Sequence, residues 1–129
     1  MIVRRFRGEA GLTATQLAVV MPALLFWIML IVQYGLWFHA KQVAAAAAAE
    51  AVDVAQVPTN SVASAEQAAR SFLTQTGNLT HVTVSVTPTA DLVSVRVSGE
   101  APQLVPGIRW SVTSVAESPL ERYIPQPER

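Results

Sequence analysis

Residues 17–38 read LAVVMPALLFWIMLIVQYGLWF, 22 positions without a charged side chain. An α-helix rises about 1.5 Å per residue, and the hydrocarbon core of a bilayer is about 30 Å thick. About 20 apolar residues are therefore enough to cross it. Gln33 and Tyr34 interrupt the run only near its far end, and Tyr34, Trp37 and Phe38 cluster where aromatic rings favour the membrane–water interface. A buried helix of a soluble protein fits poorly, because so small a chain could not cover such a helix on every side. The stretch therefore reads as a single membrane crossing.

The flanks give the orientation. Arg4, Arg5 and Arg7 precede the span against one acid, Glu9, and the first basic residue after it is Lys41. Positive charge stays on the cytoplasmic side. Residues 1–11 then form a basic cytoplasmic leader, and the C-terminal portion lies outside the cytoplasm. The apolar run is longer than the core of a secretory signal, which favours retention over cleavage. The alanine tract at 44–49 nevertheless offers small-residue cleavage sites, so secretion stays open as an alternative.

The rest of the chain is read outward from the span. After Phe38 comes HAKQVAAAAAAEAVDVAQV, rich in the best helix former, with Pro58 as a stop. One continuous helix from about 13 to 57 is expected, in a unit of residues 12–57. Val43, Ala47, Val54 and Val57 recur at near-heptad spacing. They pack on the chain's own domain or on sister helices, and neither excludes the other. Residues 58–129 form a small α+β domain. A second helix is expected over 65–76, opened by a capping box of Ser64 and Gln67 and closed at Gly77-Asn78.

Period-two alternation follows. Val82, Val84 and Val86 face one way, and Thr83, Ser85 and Thr87 the other. Val93, Val95 and Val97 repeat the pattern beyond a turn at 88–91, which makes an antiparallel hairpin. A third strand is expected over 110–115, and an irregular proline-rich tail from Ser118, with Leu120 and Tyr123 as anchors. The fold class is α+β: a long N-terminal transmembrane helix continuing outside the membrane, a second short helix and a small antiparallel sheet of about three strands.

Composition excludes several functions. The chain has no cysteine, so disulfides and thiolate chemistry are absent. Its formal net charge is +0, which gives no electrostatic footprint for nucleic acid. His39 and His81 lack companions at metal-ligand spacing. No carboxylate pair, phosphate loop or nucleophile–base pattern is present. No catalytic, cofactor-binding or metal-binding residue is assigned, no cofactor is expected, and the chain does not read as an enzyme.

The N-terminal layout resembles a prepilin: a basic leader, Gly11, then Leu12-Thr13-Ala14-Thr15-Gln16 and a long apolar helix. Together with Arg7-Gly8-Glu9-Ala10-Gly11, Thr15 through Pro22, Gln33-Tyr34-Gly35, Trp37-Phe38-His39-Ala40, Leu104-Val105-Pro106-Gly107 and Ser118 through Tyr123, it resembles the TadE-like family. These are pilin-like proteins of tight-adherence (Flp-type) pilus systems, and the alanine-rich form is similar to that of high-GC Gram-positive bacteria. The resemblance implies a pseudopilin or minor pilin, cut by a prepilin-type peptidase between Gly11 and Leu12. Its implied partners are membrane lipid, that peptidase, other pilus subunits and inner-membrane assembly proteins.

Gln16 takes the recognition and packing position where most family members carry glutamate. An amide there accepts a hydrogen bond from an ammonium group but cannot neutralise it. That favours a low-abundance, tip or membrane-resident role. Pro22, inside the span, removes a backbone hydrogen bond and reads either as a tolerated kink or as a point of local melting. The alternative to the pilin reading is an unprocessed, membrane-anchored binding module.

Overall fold

The computed structural model describes residues 9–77 and 79–120. The arginines Arg4, Arg5 and Arg7, Asn78 and the tail with Tyr123 lie outside them. Helix α1, Glu9–Gln56, is a 48-residue rod that runs through Pro22 without interruption. At about 1.5 Å per residue it is about 70 Å long, more than twice the bilayer core. Helix α2 is Val62–Thr76, and the strands are β1 (Thr80–Pro88), β2 (Leu92–Glu100) and β3 (Ser111–Pro119). They form an antiparallel meander in the order β1-β2-β3. The α+β architecture read from the sequence is the architecture observed.

Helix α1 lives in two environments. From residue 13 to 28 every described position is exposed, including Leu17, Val19, Trp27 and Leu24. Further along, Ala40, Val43, Ala44, Ala47, Ala48, Ala51 and Val52 are buried against α2 and the sheet. Small side chains let the other elements approach the helix axis closely. The buried stripe is therefore mostly alanine, and it keeps Val43 and Ala47 of the set expected from spacing. Val54 is only partly buried and Val57 is exposed. The helix packs on its own domain, one of the two partners expected.

The valine face closes the core. Val84, Val93, Val95, Val97 and Val112 are buried, with Val82 and Val86 packed against them. Ala65, Ala69 and Leu73 of α2 complete it at i, i+4 and i+8.

The start of α2 and the end of β3 differ from the sequence reading. Helix α2 starts at Val62, and its cap is Ser61, whose Oγ accepts from the Ser64 N–H at 3.2 Å. The box of Ser64 and Gln67 is thus displaced, because a serine one turn earlier fills the same role. Gly77 ends α2 where the sequence places its close, in an extended conformation (φ −107°). Strand β3 runs on to Pro119, so Ser118 and Pro119 pair with β2 and are not part of an irregular tail. Leu120 is held by its N–H donating to the Asp91 carbonyl at 3.1 Å.

Candidate functional site

No helix among the described residues other than α1 is long and apolar enough to cross a membrane. Its most apolar window is wholly unburied, unlike the core helix of a soluble domain. A patch of this size in water would be an aggregation site. Lipid is the solvent that suits it.

The site residues read from the sequence are strung along this rod. Gly11 and Leu12 fall in the first turns of α1, which starts two residues before Gly11. A peptidase acting between them must open a helix end, where turns fray readily. Gln16 and Pro22 are exposed on the lower half. Tyr34, Trp37 and Phe38 lie near the middle of the rod, at the far end of the apolar run. Gln16 and Gln33 are 17 residues apart, about 25 Å along the axis, so the fold does not bring the two glutamines together.

The densest arrangement of polar contacts sits where the lipid-exposed half meets the domain. Gln33 is fully buried, the one buried polar or charged side chain among the described residues. Its Nε2 donates to the Pro102 carbonyl at 3.1 Å. Its Oε1 accepts from the Leu104 N–H at 2.8 Å and the Val105 N–H at 3.3 Å. Burying an amide costs several kcal/mol unless it is hydrogen-bonded, and Gln33 uses three of its four bonding positions. It clasps the β2–β3 connection, residues 101–110, to the helix.

That connection is also closed on itself. Ala101 N–H donates to the Trp110 carbonyl at 2.9 Å, and Gln103 Nε2 to the Ile108 carbonyl at 3.0 Å. Gly107, after Pro106, has φ +89°, a left-handed conformation suited to glycine.

One turn above Gln33, Trp37 Nε1 donates to the Ser111 carbonyl at 3.2 Å. Its ring lies 5.8 Å from Tyr34 and 6.3 Å from Trp110, both tilted. Lys41 Nζ sits 5.5 Å from the Trp37 centroid. The Trp110 Nε1 is buried with no acceptor among the described residues. Trp37, read from the sequence as an interfacial ring, is thus also a packing residue of the domain.

Two ion pairs are formed by ionisable groups among the described residues. His81 sits at a bulge in β1 with φ +52°, its Nδ1 3.5 Å from Glu100 Oε2. Arg109 Nη1 lies 3.9 Å from the other oxygen of Glu100. The His81 and Arg109 side chains are about four-fifths exposed, and such pairs add little stability. Among the described residues no three His, Cys, Asp or Glu are grouped to hold a metal.

In the sequence Gln33 reads as a break in the apolar run and as part of the TadE-like resemblance, not as a buried clasp. The available signal was its register: Gln33 lies seven residues before Ala40, on the same side as the stripe through Ala44, Ala47 and Ala51.

The family model of TadE-like proteins matches residues 11–53, and this segment of the chain is TadE-like. The match covers the exposed apolar half of α1 and all of its buried stripe from Ala40 to Val52. No curated protein and no solved structure matches the chain.

Proposed function

We propose that this protein is a pilin-related structural subunit of a tight-adherence pilus assembly or secretion system, with a non-catalytic role. Helix α1 anchors it, the N-terminus is cytoplasmic, and the α+β domain stands on the opposite side. A prepilin-type peptidase cuts after Gly11, leaving Leu12 as the mature N-terminus. Sister subunits and inner-membrane assembly proteins then contact the exposed half of α1.

The observation that carries this reading is the TadE-like match, which starts at residue 11 and follows the uncovered apolar helix. A helix with a 16-residue stretch exposed all round suits a subunit that exchanges lipid for partner helices. Gln16, in place of a carboxylate, points to a minor or membrane-resident position over a major filament position. Leaving a carboxylate unpaired in lipid is costly, while an amide is tolerated.

The same amide, and the position of Gly11 inside α1, favour a second reading: an unprocessed, membrane-anchored binding module. Intact-mass spectrometry of the protein from cells with an active prepilin peptidase separates the two. A chain starting at Leu12 is expected. An intact Met1 would favour the second reading, and a start within residues 44–50 would mean a secreted protein.

A further inference from the structure

Gln33 fixes the β2–β3 connection at a definite height on α1, and that height falls inside the apolar run. Tyr34 and Phe38 are exposed on the helix beyond Gln33, at 57% and 49%. Phe38 is five residues further along, about 7 Å up the axis. A bilayer deep enough to cover these rings also covers the level of Gln33, and with it the connection tied to Gln33.

The connection has the composition for such a place. Leu104 and Ile108 are exposed at its tip, at 42% and 46%. Pro102 and Pro106 carry no N–H to desolvate. The N–H groups of Leu104 and Val105 and the carbonyls of Pro102, Ile108 and Trp110 all have internal partners. Backbone whose polar groups are only partly satisfied within the protein suits the hydrated interfacial layer, not the hydrocarbon core. Two cations follow, Arg109 beside the tip and Lys41 one turn above Trp37, where headgroup phosphates would lie.

We propose that residues 101–110 are a second membrane contact, seated in the interfacial layer of the leaflet from which α1 emerges. Leu104 and Ile108 enter the acyl boundary, and Arg109 and Lys41 meet the headgroups. The occupant of this apolar tip is phospholipid, continuous with the lipid around α1. The domain is then held at two points, a helix and a foot, so that its height and tilt on the membrane are fixed. In the competing arrangement the bilayer ends at Val32, since residues 13–32 already span about 30 Å. That arrangement leaves Tyr34, Phe38, Leu104 and Ile108 together in water.

The inference rests on α1 as a spanning helix, and the test reports on both. The chain has no cysteine, so single cysteines carry an environment-sensitive fluorophore without background. Leu104→Cys and Ile108→Cys are compared with Leu24→Cys on the exposed apolar half and Thr83→Cys on the outward sheet face. All are made in the full chain, reconstituted in phosphatidylcholine–phosphatidylglycerol vesicles containing a spin-labelled lipid quencher. Positions 104 and 108 are expected to emit to the blue of position 83 and to be quenched several-fold more strongly. Emission and quenching equal to position 83, with position 24 still quenched, would overturn the foot and leave the spanning helix standing. A blue shift without lipid quenching would mean a second protein chain covers the tip, which also overturns it. Loss of quenching at position 24 would remove the spanning helix and the foot together.

Discussion

Gln33 joins two solvents within one residue. Below it the helix is bare, and above it the helix is the spine of a folded domain. Replacing it by leucine keeps the volume but removes three hydrogen bonds. The Leu104 and Val105 N–H groups then lose their acceptor. An unsatisfied buried group costs about 1–3 kcal/mol, so Gln33→Leu is expected to lower stability by about 2–3 kcal/mol, read by denaturant unfolding in detergent micelles. Amide exchange at Leu104 and Val105 should accelerate more than exchange in β2. Unchanged protection at those two amides would show that the clasp does not hold the connection. The polar break was legible in the sequence, but its partners were not. They lie 69 to 72 residues away, and nothing in local spacing points to them.

The elements were read best where one face alone is buried. Val82, Val84, Val86 and Val93, Val95, Val97 alternate cleanly because the outward face is solvated. Strand β3 was cut short because its inward side carries Ser114 and Ala116 beside Val112, and Ser114 Oγ donates to the Lys41 carbonyl at 3.4 Å. A small polar residue on the packed side hides the alternation. The alanine run of α1 gives no face at all until a partner is present, since six successive identical residues carry no moment. Gly77 marks how closely α2 meets α1. A Cβ there would lie 2.9 Å from the Leu73 carbonyl oxygen and 3.1 Å from Val43 Cγ1. Its φ of −107° is open to any residue, so the penalty is contact and not backbone strain. Gly77→Ala is expected to cost about 1–3 kcal/mol, in the range of overpacked cores, measured by thermal or denaturant unfolding. A neutral result would show that the junction of α1 and α2 relaxes freely.

At the scale of the molecule, the chain is one long helix with a compact α+β domain wrapped on its upper half and an apolar shaft below. The shaft was legible from its length and lack of charge. The depth to which the domain reaches down the shaft was not, because it depends on the connection folding back to Gln33. The TadE-like segment spans both halves, so anchoring and domain packing are functions of a single helix. In the proposed arrangement the domain lies outside and α1 crosses once. Labelling Thr83→Cys with a membrane-impermeant maleimide in intact protoplasts tests this most directly. Full labelling is expected without permeabilisation, on protein that stays in the membrane fraction after alkaline extraction. Labelling only after the membrane is opened, or labelled protein released into the soluble fraction, would contradict it.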